Sequence, residues 1–432
     1  MTKFLLRRFL LLTLTMFLVS IAVFLITESS PGNVAKNVLG AFITPEQEAS
    51  FLKQSGLDRP AWQRYSFWLI GNDWLAERKT KFNLVQFYTE KGFQEWWAQD
   101  ENGRLLQWKI AGDDLVVLIR GSDGSTTEEK DNQRWGKDKN GTDYFWGLDA
   151  QNHAVKWVKG SEKKVWTYSS DAGWQESSNA PVEYIPLKKG FLRGDPGISM
   201  RTGRPVASTI FTRLRNSMVL TGIAFIIVMP LALFLGIIAG LKEGSKSDRF
   251  LSIFGMLFTV IPEFVTGIFL ILVFSVWLKI FPGAAVFGTH APWEKPWLLV
   301  LPVLTLTLVE LGYILRITRS SMVEIMRTPY IRTAFLKGLP YWRVVFGHGV
   351  RNALMAPITV IMLHVNWLLG GIVIVEAVFG YPGLGKYLLD SALYKDVNAL
   401  EAGAMILVFV AVGTQLLADI LYTFINPRIR YA

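Results

Sequence analysis

The chain of 432 residues contains no cysteine. That excludes a disulfide framework, a thiolate metal site and a cysteine nucleophile. Histidine is almost as scarce: His153, His290, His348 and His364 are scattered and form no H-x-x-x-H pair. A Walker phosphate loop is also missing, so the chain has no recognisable site for binding or hydrolysing ATP, and neither a metal nor a cofactor is expected. Charge is thin as well. Only 19% of residues are charged against 51% hydrophobic, and the mean hydropathy is +0.29, too apolar for an ordinary soluble protein. The net charge of +10 does not point to nucleic acid. Between Gly32 and Arg204, 24 Lys/Arg nearly cancel 23 Asp/Glu, so the excess lies beside apolar runs, where topology determinants are found.

What is present is a series of runs long enough to cross a bilayer, which takes roughly 20 residues each. The first, Phe9 to Ile26, follows Lys3, Arg7 and Arg8. It is longer than a signal-peptide core and no A-x-A site follows, so it reads as an uncleaved helix with its N-terminus inside. Five more lie at about Asn216 to Leu241, Phe250 to Ile280, Pro296 to Thr318, Ala356 to Phe379 and Leu400 to Ile425. Six spans place both termini on one side. With the N-terminus, Leu241 to Arg249, Arg316 to Arg351 and the C-terminus inside, the cytoplasmic segments collect 15 Lys/Arg against Glu243, Asp248 and Glu324. The outer loops are nearly balanced, and Arg213 with Arg215 is the one outer pair against the trend. Positive-inside is satisfied.

The segment after the first run is of another kind. From about Ala41 to Gly190 it holds 11 of the 16 tryptophans, and turn signals such as "DENGR", "GSDGS", "DKNGTDY" and "DAQNHA" alternate with short strand-like runs, "LLQWKI", "LVVLIR" and "AVKWVKG". Trp97 and Trp108 are 11 residues apart, as are Trp135, Trp146 and Trp157; Asp-x-x-Gly recurs after 38. The pattern predicts a repeated β-meander. Its tryptophans could stack on sugars, but a shared core is the favoured reading, because large aromatics supply most of the burial energy of a small domain. Ahead of it, "TPEQEASFLKQSGLDRPAWQRYSFWLIGN" has helical spacing, with Thr44 as N-cap and a break at Gly56.

One cytoplasmic stretch has more structure than a solvated loop needs. "YIRTAFLKGLPYWRVVFGHGVRN", Tyr330 to Asn352, has no acidic residue. Pro329 opens a short helix, Gly338-Leu339-Pro340 breaks it, and a second amphipathic stretch follows with Trp342, Val345 and Phe346. Two short helices joined by a sharp turn make a rigid knob with apolar anchors and a basic rim, suited to a groove on another protein.

This loop resembles the "EAA" signature of the transmembrane subunits of binding-protein-dependent ABC importers, in the form Tyr-x-Arg-Thr-Ala-x-x-Lys-Gly usual in the dipeptide, oligopeptide, nickel and glutathione branch. "RGDPGISMRTGRPV", "RITRSSMVEIMRTPYIRTA", "HGVRNALMAPIT", "VEAVFGYPGLGKYLLDSALYKD" and "DILYTFINPRIRY" resemble the same family in order, from about Arg193 to the end. The match is to a B-type permease subunit. The resemblance implies that Tyr330, Arg332, Thr333, Ala334, Lys337, Gly338 and Leu339 couple the chain to an ATPase. It also implies a second, C-type permease, two ATP-binding subunits and an extracytoplasmic solute-binding protein as partners, with the lipid bilayer and no nucleic acid. The expected class is an all-α protein of six transmembrane helices, the type I ABC importer permease fold, with an inserted β-rich domain. The parts are a first helix over 1–31, a periplasmic insert over 32–204 with its strands at about 80–185, and a core over 205–432 with the coupling loop at about 319–352. The setting is the bacterial inner membrane. Two departures stand out: Arg332 replaces the first glutamate of the EAA triplet, and the insert is far longer than the family's usual outer loop.

Polar residues inside the runs need protein or water around them, since an ionised carboxylate in hydrocarbon costs about 2.5 to 3.5 kcal/mol even on lenient scales. Glu263 and Glu310, mid-run, either line the translocation pathway and attract a cationic or zwitterionic solute or make structural interhelical hydrogen bonds. Glu376 and Asp419 read as structural. Pro230, Pro262, Pro302 and Pro357 permit bends. The "GYPGLG" run, with Tyr381, Pro382, Gly383 and Gly385, is either an outer gate or a span-ending turn. The insert is expected to cap the outer mouth and guide the binding protein or the solute. The resemblance implies a peptide or a similar small solute as cargo, with glutathione-like compounds, nickel chelates and oligosaccharides also carried among such permeases. Rival readings are a membrane-anchored lectin-like or sensor protein, and a proton-coupled secondary transporter using Glu263 and Glu310.

Overall fold

The computed structural model describes residues 2–29, 33–89, 94–112, 114–121, 123–169, 173–178, 180–288 and 290–425. The side chain of Asp419 and the C-terminal Arg428 and Arg430 lie outside the described residues. The chain forms two compact units, one of Met1–Val19, Ile210–Asp390 and Gly403–Ala432, the other of Ser20–Thr209 and Ser391–Ala402.

The second unit begins with the end of α1 (Thr2–Ser29), then α2 (Val34–Leu39), α3 (Pro45–Gln54), α4 (Ala61–Ile70) and α5 (Asp73–Thr80). Thr44 caps α3 in a full capping box with Gln47, Pro45 fills the first turn, and Gly56 takes φ +67° just past its end. Ser20 and Tyr65 share a hydrogen bond of 2.7 Å that ties α1 to α4.

Strands β1 (Asn83–Tyr88), β2 (Gln94–Gln99), β3 (Leu105–Ala111), β4 (Asp114–Arg120) and β5 (Thr126–Lys130) form an antiparallel meander in that order. A second sheet has β6 (Gly136–Lys137), β7 (Asp143–Leu148) and β8 (His153–Val158) in sequence, with β11 (Glu183–Pro186) on the far side of β8, while β9 (Val165–Ser169) and β10 (Gly173–Ser177) make a separate hairpin. The recurring acidic turn has one geometry throughout. Asp100 accepts from the backbone of Asn102 and Arg104, Asp138 from Asn140 and Thr142, and Asp149 from Gln151 and His153, each at 2.8 to 3.0 Å. Trp96, Trp97, Trp108, Trp146 and Trp157 are buried. Trp108 meets Phe145 edge-on at 5.3 Å, and Phe145 stacks on Trp157 at 6.0 Å, so the two sheets share one core. The tryptophan periodicity belongs to that core.

The first unit is helical: α6 (Val206–Leu241), α7 (Lys246–Val260), α8 (Glu263–Leu270) continuing in a wider turn to Trp277, α9 (Val300–Met326), α10 (Pro329–Leu336), α11 (Tyr341–Val344) running on to Val350, α12 (Arg351–Ala353), α13 (Met355–Phe379), α14 (Leu384–Tyr394) and α15 (Val397–Ile425), which starts in the other unit. Helix α9 is the most enclosed. Small residues let α7 lie against it: a Cβ on Gly312 would strike the Gly255 carbonyl.

Among the described residues, five helical runs are long and apolar enough to cross a membrane: Phe9–Ser29, Val206–Leu241, Pro296–Met326, Tyr341–Met362 and Val397–Leu417. Two bent pairs, Lys246–Val260 with Glu263–Trp277 at 108° and Ile372–Phe379 with Leu384–Tyr394 at 76°, raise the number to as many as seven. The first pair corrects the sequence reading of one continuous run from Phe250 to Ile280. Pro262 has no N–H to continue the ladder and holds Ile261 extended at φ −70°, ψ 127°, so the helix stops and restarts at Glu263.

Candidate functional site

The elbow after α9 is built from its own small core. Pro329 stands in the first turn of α10, where its missing donor does no harm. Ile331 and Ala334 turn inward onto Val344, with Leu339 and the end of α9 closing the cluster. Lys337 ends the helix, Gly338 takes φ +75°, and Pro340 starts α11 with φ −65° already set. A left-handed φ is free for glycine and strained for other residues. A Cβ at Gly338 would meet open space, so the conformation and not crowding selects glycine there.

What faces out is aromatic and basic. Phe335 stacks on Tyr341 at 6.1 Å, Tyr341 meets Trp342 edge-on at 5.4 Å, and Trp342 stacks on Phe346 at 5.6 Å. Leu336 is 79% exposed beside them, and Arg332 and Lys337 are exposed on the same short helix. Val345, read from sequence as part of this face, is wholly buried against Met322 and Ala353, because the chain widens its turn there and rotates it inward.

The expected coupling residues therefore divide. Arg332, Lys337 and Gly338 are exposed. Ala334 is buried and shapes the elbow. Thr333 bonds back to the Pro329 carbonyl at 3.0 Å. The Tyr330 hydroxyl donates to the His348 carbonyl and accepts from Asn352 Nδ2 at 2.6 Å, while Asn352 also reaches the His348 carbonyl at 2.8 Å. This latch joins the two arms of the elbow. Its Tyr–Asn spacing of 22 residues has no local signal in sequence.

Further inside the helical unit, Glu310 is buried and its Oε2 lies 3.0 Å from His364 Nδ1, linking α9 to α13. The His364 ring is 4.3 Å from Tyr313. Glu263, at the restart of α8, lies within electrostatic reach of Glu310. Glu310 Oε1 and Glu263 Oε2 have no protein hydrogen-bond partner among the described residues. Glu310 thus makes an interhelical contact and still presents an unsatisfied acceptor. His364 is the member that sequence reasoning passed over.

The "GYPGLG" turn is tightly held. Tyr381 is fully buried and donates to the Asn216 carbonyl at 2.7 Å; Asn216 Nδ2 donates to the Pro382 carbonyl at 2.9 Å. Glu376, also buried, accepts from Ser217 at 2.5 Å and from the Lys386 backbone at 3.0 Å. Gly383 lets the backbone approach that carboxylate, where a Cβ would collide with it, and a Cβ on Gly385 would strike Val373 first.

Comparison with known proteins gives a consistent assignment. The pattern described as "Binding-protein-dependent transport system inner membrane component" matches residues 232–431, and that of "Binding-prot-dependent transport system membrane comp, N-term" matches residues 1–82. Over 254 residues the chain is 35% identical to the oligopeptide transport system permease protein AppB of Bacillus subtilis (strain 168), covering 58% of this chain and 80% of that one. It is 32% identical over 272 residues to the dipeptide transport system permease protein DppB of Alkalihalophilus pseudofirmus, covering 58% and 81%. It is 31% identical over 275 residues to DppB of Escherichia coli (strain K12), covering 58% and 80%. The Trp-rich strands fall between the two matched regions. The chain belongs to the binding-protein-dependent transport system inner membrane components: it is an integral permease subunit of an ABC importer, whose ATP hydrolysis resides in separate subunits.

Proposed function

We propose that this permease carries peptides delivered by a periplasmic solute-binding protein, pairing with a C-type permease and two ATP-binding subunits. The observation that carries the coupling reading is the elbow: a short helix, a left-handed glycine and a second helix, latched by Tyr330 and presenting Phe335, Leu336, Arg332 and Lys337 outward. An aromatic and aliphatic anchor with a basic rim fits a cleft of a partner protein. ATP-driven closure of that partner pushes the elbow, and the spans move with it.

In this reading there are six spans, with both termini cytoplasmic and residues 32–204 periplasmic. Glu263 and Glu310 face the pathway and draw in the ammonium end of the peptide, since each carries an acceptor that the protein leaves unsatisfied. Tyr381, Pro382, Gly383 and Gly385 form an outer turn that moves together with α6. The Trp-rich insert caps the outer mouth and guides solute or binding protein. The relatives' names, oligopeptide and dipeptide permeases, support the choice of solute.

The test is uptake of a labelled tripeptide by cells carrying the full importer. Uptake that continues with an uncoupler and stops on ATP depletion supports the proposal; uptake that collapses with the uncoupler while ATP is held constant rejects it in favour of proton coupling.

A further inference from the structure

Residues of the second unit enclose a cleft of about 770 Å³, within the range of about 300 to 1,000 Å³ typical of ligand sites. Its floor is polar in an uneven way. Lys188 and Arg201 line it, and among the described residues no aspartate or glutamate does. The acids nearby accept hydrogen bonds from residues of the lining itself. Asp195 accepts from Gln94 Nε2 at 2.7 Å, from Gln86 at 2.9 Å and from the Gly197 backbone at 2.9 Å. Asp396 accepts from Ser199 and from the Met200 backbone at 3.1 Å. Asp149 holds the His153 ring at 2.9 Å. Each of these carboxylates is held by its own hydrogen bonds, and the strong cations on the lining are Lys188 and Arg201.

Lys188 is the least satisfied of these. Its ammonium is 3.4 Å from Asn398 Oδ1, a weak contact, and no carboxylate makes an ion pair with it among the described residues. Glu401 and Asp195 act on it only from a distance, and burial holds its pKa below the ordinary lysine range. A half-buried cation without a close counter-ion is costly unless an anion completes it. Arg201, exposed, lies over the Tyr394 ring at 3.6 Å, which leaves its guanidinium edge at the cleft without a carboxylate partner. The rest of the lining mixes polar side chains, Gln54, Gln94, Gln151 and Asn152 among them, with an apolar part formed by Leu39, Phe51, Met200 and Trp174.

We propose that this cleft binds a short peptide by its free C-terminal carboxylate, with Lys188 and Arg201 on the carboxylate and Phe51, Met200 and Trp174 along the apolar side chains. The inference rests on the reading of the insert as a guide for peptide solute, and deepens it: the permease itself, and not only the binding protein, recognises one end of the cargo.

The experiment uses the full-length chain in nanodiscs, without ATPases or binding protein, and titrates trileucine, trileucine amide and inorganic phosphate by calorimetry. Saturable binding of trileucine is expected, weaker by roughly tenfold or more for the amide, as the loss of one charge-assisted contact implies. Phosphate is expected to compete poorly because it offers nothing to the apolar wall. Lys188→Gln should erase the preference of acid over amide. Arg201→Gln, at an exposed position, should reduce that preference without a folding penalty, so the idea stays testable if the Lys188 variant does not fold. Equal binding of acid and amide, no binding of trileucine, phosphate competing as well as trileucine, or an unchanged preference in a folded Lys188→Gln or in Arg201→Gln would each overturn the proposal. Uptake by the assembled importer is read separately. If trileucine binds with this preference but is not imported, the peptide-transport reading falls and the site stands; if it is imported but not bound, only the site falls.

Discussion

Ser217 donates its hydroxyl hydrogen to Glu376 Oε1 at 2.5 Å, fastening α6 to the end of α13. The other carboxylate oxygen takes the Lys386 backbone N–H at 3.0 Å, and Tyr381 and Pro382 bond Asn216, the residue before Ser217. A buried carboxylate that accepts several hydrogen bonds organises the segments around it, because leaving any of them unmade in the interior costs about 1 to 3 kcal/mol. The turn from Gly380 to Gly385 and α6 are one mechanical piece.

That arrangement predicts a sharp contrast between two glycines. Gly383→Ala sets a methyl on the Glu376 carboxylate, whereas Gly380→Ala adds one in open space at φ +64°. Overpacking of this kind destabilises by about 1 to 3 kcal/mol, and the left-handed penalty at Gly380 is about 1 kcal/mol. Thermal melting in detergent should therefore fall further for Gly383→Ala. A smaller drop than for Gly380→Ala contradicts the packing.

At Gly338 the expectation is different. Space is open and φ is +75°, so Gly338→Ala should lose about 1 kcal/mol and still assemble. Gly338→Trp places a large side chain on the proposed docking surface. It should keep co-purifying partners to a substantial degree while abolishing uptake. Normal uptake by a well-expressed Gly338→Trp variant counts against the coupling role.

Trp108 predicts the behaviour of the β domain. It is fully buried, donates to Asp131 at 3.0 Å and contacts Phe82 and Phe145. Trp108→Ala should cost about 3 to 5 kcal/mol, enough to open the domain to protease within residues 83–186. Protease resistance equal to that of the native chain would mean that the tryptophan row is not the core.

The pathway reading gives a prediction for Glu310. Glu310→Gln keeps the size of the side chain and can still bond His364, but removes the charge. Uptake of peptides with a free amino terminus should fall by roughly tenfold, the order of one charge-assisted contact, with N-acetylated peptides unaffected. Free-amino uptake unchanged by the substitution, or reduced to the same degree as that of N-acetylated peptides, leaves Glu310 a purely structural interhelical contact.

Local chemistry was what the sequence made legible. Proline and glycine punctuation placed the elbow, because Pro329, Gly338 and Pro340 restrict their own backbone. The acidic turns and the Trp spacing announced a meander for the same local reason. Hidden were contacts between residues far apart in sequence: His364 with Glu310, Asn352 with Tyr330, Gln94 with Asp195 and Ser199 with Asp396. Pro262 was legible as a bend, but the full break it makes was not, because hydropathy runs unbroken through it and does not register a missing N–H.

The absence of cysteine allows the central claim to be tested on a clean background. Leu336→Cys puts a single thiol at the most exposed point of the elbow's apolar face. In the assembled importer it should cross-link to an ATP-binding subunit, in a manner sensitive to nucleotide, and stay unlabelled by a membrane-impermeant thiol reagent added outside intact cells with a permeable outer barrier. Labelling from outside, or no cross-link to the ATPase in an active complex, contradicts the account.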